Sequence, residues 1–181
     1  MERVLLHICC APCTIYPLDT LKKMGFKIEG FFYNPNIHPS KEYMLRRDTL
    51  IKYAKMDNLE VYFGDYKPEL FFSIVTKNLE DRCRYCYQIR LEASVKKAKE
   101  RGYKVFTTTL LYSKRQKHDL IKEIGESIAK KEDVEFFYYD FREGWKKGIE
   151  KSKEICLYRQ NYCGCIFSEK ERFYSDEPQL L

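Results

Sequence analysis

The sequence is short of the devices by which many α/β proteins hold nucleotides. Only 8 of its 181 residues are glycine, and none falls in a Gly-x-Gly-x-x-Gly or Walker A pattern. Phosphate binding on a glycine-rich loop at a helix start is therefore not supported. With 6 prolines and one tryptophan, the chain also lacks any repeat, low-complexity tract or long linker. No apolar run approaches the roughly 20 residues of a membrane span. The first run, Val4-Leu5-Leu6, is broken by His7 and is too short for a signal-peptide core. These absences predict one cytoplasmic domain over residues 1–181, with no membrane partner.

A chain of this length buries roughly 70% of its unfolded surface and needs no covalent staples. Its 8 cysteines are thus a surplus. Cytoplasmic thiols stay reduced, so the surplus points to metal or redox chemistry rather than structural disulfides. There are 33 Lys plus Arg against 27 Asp plus Glu, a net charge of +6. This is compatible with an anionic partner but does not select one. The excess is uneven: Lys96, Lys97, Lys99, Arg101 and Lys104 crowd together, Lys114, Arg115 and Lys117 follow, and Glu169 to Glu177 is mixed to acidic.

Short apolar runs alternate with longer amphipathic ones. Strands are predicted over 3–8, 27–33, 60–63, 104–108 and 134–138. Helices are predicted up to Met24-Gly25 and over 40–56, 68–77, 87–101, 116–131 and 145–157. Ser40 reads as an N-cap, with Tyr43, Arg47, Leu50 and Ala54 on one helical face. The alternation predicts an α/β fold, a mostly parallel five-stranded sheet flanked by helices, with a helical, Cys-rich C-terminal extension. Ligands of such sheets gather at the carboxyl ends of the strands. Cys9-Cys10-Ala11-Pro12-Cys13, Tyr33 to His38, Asp65, Thr107 to Thr109 and Asp140 all fall there.

The cysteines form three groups. Cys10-x-x-Cys13 after a strand has the spacing of a thiol–disulfide exchange motif. Cys83 and Cys86, placed just before the helix at Tyr87, make a four-thiolate set with Cys9 and Cys10. Zinc is one occupant of such a set. Adjacent Cys9 and Cys10 suit one tetrahedral ion poorly, which favours a 4Fe–4S cluster with its more widely spaced corners. Cys163-Gly164-Cys165 is either a strained, readily reduced disulfide or a ligand pair. Cys13 and Cys156 are further candidate ligands. Of the histidines, His7 reads as a buried, hydrogen-bonded core residue, His118 as a surface one, and His38 as a candidate proton donor or ligand.

HICCAPC, YNPNIHP, RCRYCYQIRL, TTTLLYS, YYDFREGW and YCGCIFS, in this order, resemble the epoxyqueuosine reductase family of the QueH type. The resemblance spans nearly the whole chain. It implies an adenine nucleotide α-hydrolase-like (HUP-like) fold in which Cys9 to Cys13 replace the phosphate loop. It also implies removal of the epoxide oxygen of epoxyqueuosine at the tRNA wobble position, the final step of queuosine synthesis.

Carried over residue by residue, Cys9, Cys10, Cys83 and Cys86 are the expected ligands of a 4Fe–4S cluster, and Cys163 and Cys165 the expected redox-active pair. An additional mononuclear iron is implied beside the cluster, with Cys13, Cys156 or Asp19 as candidate ligands. Tyr33, His38 and Asp65 are candidate proton donors by position. The expected partners are tRNA carrying epoxyqueuosine and an external low-potential electron donor. After TTTLLYS the family has a proline and an aromatic residue where this chain has Lys114-Arg115-Gln116. Two competing readings are a thiol–disulfide oxidoreductase using Cys10 and Cys13, and a zinc-stabilised RNA-binding module.

Overall fold

A computed structural model describes residues 2–174. The elements run β1 (Arg3–Ile8), α1 (Ala11–Lys23), β2 (Lys27–Phe32), α2 (Ser40–Met56), β3 (Val61–Phe63), α3 (Pro68–Val75) and α4 (Arg82–Glu100). They continue with β4 (Val105–Thr108), a 3-10 turn (Thr109–Tyr112), α5 (His118–Glu132), β5 (Glu135–Phe136), a second 3-10 turn (Phe141–Gly144), α6 (Trp145–Glu154) and α7 (Ile166–Phe173).

The strands form one sheet in the order β3-β2-β1-β4-β5, and every neighbouring pair is parallel. β1 is central, and Val4 through Ile8 are buried, as a strand covered on both faces must be. It pairs with β2 on one side and β4 on the other, His7 standing opposite both Phe31 and Thr108. The strand order therefore reverses between β1 and β4. The crevice beyond the carboxyl ends of these two strands is where an open α/β sheet binds its ligand. No helix among the described residues is long and apolar enough to cross a membrane.

Several local expectations change. The helix expected from Tyr87 begins at Arg82, because nothing between Arg82 and Glu100 breaks it: the segment holds no proline or glycine. Cys83 and Cys86 thus stand inside its first turns, not ahead of it. Pro39 takes the cap position expected for Ser40, which is the first helical residue of α2. Arg46, rather than Arg47, lies on the buried face of that helix. The fifth strand shrinks to two residues, although the Phe137 amide still bonds Phe106 O at 2.9 Å. His118 is buried rather than on the surface; its Nε2 lies 3.1 Å from the Tyr138 hydroxyl. His7 is fully buried, 2.8 Å from Thr108 Oγ1 and 3.1 Å from Tyr33 O. The mixed to acidic stretch from Glu169 is helical to Phe173, while residues 175–177 lie outside the described residues.

Candidate active site

Cys9 leaves β1 and Cys10 caps α1 in extended conformation, which turns Cys13 back towards both. The three sulfur atoms lie within 4.8 Å of one another. Thr109, at the carboxyl end of β4, ties this corner across the crevice. Its Oγ1 accepts from the Cys9 amide at 3.0 Å and donates to Cys9 Sγ at 3.2 Å. Gln160 Nε2 donates to Cys10 Sγ at 2.8 Å. Hydrogen bonds from the Cys10 and Cys13 thiols, then from Thr109, hold Cys9 well below the ordinary thiol range. Burial pushes Cys10 up, and hydrogen bonding to Cys10 and Cys9 pushes Cys13 up. Within this coupled trio, Cys9 is the sulfur that gives up its proton most readily.

A second group faces the first. Cys83 and buried Cys86 come from the start of α4, and exposed Cys163 and buried Cys165 from the turn before α7. Arg90 Nη2 donates to Cys86 Sγ at 3.2 Å, Gln116 Nε2 to Cys163 Sγ at 3.2 Å, and the Ser168 amide to Cys165 Sγ at 3.4 Å. Burial pushes the Cys86 thiol up to about 12. These four cysteines line a cavity of about 340 Å³, and Cys9, Cys13 and Cys163 line a neighbouring one of about 170 Å³. Cys163, Arg115, Gln116, Asn161, Tyr162 and Arg172 border both, so the two are compartments of one site. Wider grooves between α1, α2 and α6 and between α4 and α5 contain no cysteine.

The Cys163-Gly164-Cys165 turn is pinned from below. Arg46 Nη1 donates to Cys163 O at 2.9 Å and Nη2 to Tyr162 O at 3.2 Å, while its Nε holds Glu42 at 2.6 Å. The His38 amide donates to Gly164 O at 2.8 Å, and the Tyr162 hydroxyl donates to His38 O. Gly164 has φ +142°, and a Cβ there would sit 3.1 Å from Arg46 Nη1 and 3.2 Å from Asn36 Nδ2.

The crevice gathers seven of the eight cysteines and leaves other candidates outside. Cys156 is exposed beyond α6, and Asp19 is exposed on α1 in an ion pair with Lys23 at 2.6 Å; neither lines the cavities. Asp65 is exposed and paired with Lys67 at 3.2 Å, also outside them. Tyr33 stacks on Phe31 with ring centroids 5.9 Å apart. His38 is buried behind the turn, stacked on Phe72 at 4.5 Å, with neither ring nitrogen hydrogen-bonded. Burial depresses its basicity. Arg46, Arg90, Thr109, Gln116 and Gln160 belong to the site but carry no spacing signal. Only the four-residue step from Cys86 to Arg90 places a cation on the cysteine-bearing face of a helix.

At the mouth, exposed Arg115, Arg159 and Arg172 border the cavities, with Lys117 beside the larger one. None forms an ion pair among the described residues. Lys97, Lys99 and Arg101 instead lie at the far end of α4, paired with Glu100, Glu132 and Glu29. From Cys86 to Lys99 the helix rises about 20 Å.

Fold and site define a class: a doubly wound α/β protein of adenine nucleotide α-hydrolase-like fold, with cysteines and no glycine-rich loop at the turn from β1 into α1. A solved structure described as a predicted subunit of tRNA methyltransferase from Methanocaldococcus jannaschii shares this fold. Its TM-score is 0.61 at 14% identity, over 85% of this chain and 75% of that one. The family model for epoxyqueuosine reductase QueH matches residues 4–171, and the chain belongs to that family of oxidoreductases of tRNA modification. Epoxyqueuosine reductase QueH of Thermotoga maritima is 40% identical, over 95% of this chain and 93% of that protein. The protein of the same name from Dehalococcoides mccartyi is 37% identical, over 94% of each.

Proposed function

We propose that this chain reduces epoxyqueuosine at the tRNA wobble position with a 4Fe–4S cluster held by Cys9, Cys10, Cys83 and Cys86, and an iron ion beside it that counts Cys13 among its ligands. The reaction breaks both C–O bonds of the epoxide. Two electrons and two protons enter, an alkene forms, and the oxygen leaves as water.

The observation that carries this reading is the opening of both cysteine groups onto one connected cavity at the sheet's switch point. The donor set fits the cofactor. It consists of thiols alone, soft ligands suited to iron–sulfur chemistry. Cys9, Cys10 and Cys86 each accept an N–H or O–H hydrogen bond, the kind of support that orients and tunes thiolate ligands. When bound, the cluster supplies single electrons from an external low-potential donor and the iron a Lewis acid for the epoxide oxygen.

The chain's own residues do the rest. Trp145 and Tyr162 offer aromatic faces along the cavities for a base splayed from the anticodon loop. Arg115, Lys117, Arg159 and Arg172 hold phosphates at the mouth. Cys163, exposed, is the thiol an outside reductant reaches first, and Cys165 is its buried partner in a redox pair. His38 is buried behind the turn and Asp65 is paired with Lys67, and neither lines the cavities, so neither has a visible proton path into them.

The exchange reading would need Cys10 as an accessible thiolate, whereas Cys10 is 1% exposed and burial pushes its thiol up. The decisive experiment reconstitutes the protein anaerobically with iron and sulfide, adds a chemical reductant and tRNA containing epoxyqueuosine, and analyses the nucleosides. Queuosine should form only with the brown, reconstituted protein. A colourless zinc protein, or an intact cluster that yields no queuosine, would overturn the reading.

A further inference from the structure

Arg90 is the bulkiest fully buried side chain in the described structure, and it has no carboxylate partner there. Its Nε donates to Cys86 O at 3.0 Å and its Nη2 to Cys86 Sγ at 3.2 Å, and its guanidinium lies 5.5 Å from the Tyr87 ring centroid. The other buried arginine of the site, Arg46, is neutralised by Glu42. A guanidinium cannot shed its charge, and burying it without an anion is strongly unfavourable. The groups whose charges act on Arg90 are Cys86, Cys163, Tyr87 and Cys9. His7, which also feels its field, is kept neutral. Among the described residues, Cys86 is the one side chain that accepts a hydrogen bond from the Arg90 guanidinium.

We propose that Arg90 is the permanent counter-cation of the thiolate-bound cofactor and sets its reduction potential, an inference that rests on the cluster reading above. Cluster and ligands are anionic and gain one further negative charge on one-electron reduction. A fixed cation within the same buried crevice favours the reduced form. The planar fork explains why arginine stands here, since it reaches the carbonyl and sulfur of one ligand together. This makes Arg90 a positioning and tuning residue, not a catalytic one.

The test compares the reconstituted wild type with Arg90→Met and Arg90→Lys by iron and sulfide content and by redox titration of the visible absorbance. Arg90→Met should hold the cluster but reduce it at least tenfold less favourably, 59 mV more negative for one electron. Arg90→Lys should lie closer to the wild type. Equal potentials in wild type and Arg90→Met would overturn the proposal while leaving the cluster reading intact. A wild type that takes up no iron and sulfide would remove both. Should Arg90→Met fail to fold, Arg90→Gln, which keeps a donor without the charge, carries the same comparison.

Discussion

Gly164 stands between the two cysteines of the last turn at a backbone angle that side chains rarely adopt, with Arg46 and Asn36 close against the missing Cβ. Gly164→Ala should therefore cost about 1–3 kcal/mol and shift both thiols. Thermal melts and the turnover assay check this; a wild-type melting temperature with full activity would contradict it. Arg46 anchors the same turn through two carbonyls, with its side chain 2% exposed and Glu42's 10%. Arg46→Met should destabilise by about 3–5 kcal/mol, because it takes the cation from a largely buried carboxylate and leaves it, among the described residues, only the Tyr158 hydroxyl. A loss below about 1 kcal/mol in denaturant titration would show that water reaches Glu42 after all. Cysteine spacing made the sulfur residues legible in the sequence. Arg46 and Arg90 were not, because a charged residue on an amphipathic helix ordinarily faces solvent and only the completed fold turns these inward.

At the scale of elements, α4 links two surfaces of opposite use. Its first turns bring Cys83 and Cys86 to the rim, while its last turns carry the ion-paired Lys97 and Lys99. Cys83→Ser and Cys86→Ser should each lower bound iron and sulfide after reconstitution. Cys163→Ser should keep the cluster and lose turnover. Iron loss in Cys163→Ser with full retention in Cys83→Ser would exchange the two roles. For tRNA, replacing Arg115 and Arg159 together should weaken binding and reduce the slope of log affinity against log salt by about 2, roughly 1 per phosphate contact. Replacing Lys97 and Lys99 should leave the slope unchanged. A slope that responds only to the second pair would move the nucleic acid to the far end of the helix. The alternation of strand and helix was readable because the parallel strands are continuous apolar runs. The start of α4 was not, since the residues reserved for a ligand loop include no proline or glycine to stop a helix.

Across the whole molecule, all three histidines are harder to protonate than a free imidazole. Burial leads in each case, pushing His7 down to about 4, and the positive charges of Arg90 and Arg142 reinforce it at His7 and His118. Unfolded histidine titrates near 6.5, so between the folded and unfolded values the unfolded chain binds more protons. Stability should therefore rise with pH across this window and be lost as pH falls from about 6.5 towards 4. For His7 alone the full effect is on the order of 3 kcal/mol. Melting temperatures measured from pH 7.5 to 5 should fall, and less steeply in His118→Gln. A flat profile would mean that the buried rings admit a proton without penalty.

The bond from Gln160 to Cys10 joins residues 150 apart in the chain, and this has a consequence for biosynthesis. Cys9 and Cys10 are synthesised well before Gln160 and the turn fastened to Arg46. During translation the sheet can assemble strand by strand while its thiol corner still lacks one wall. Such an open, thiol-lined corner is exposed to oxidation and to the wrong ion until Gln160 and that turn close over it.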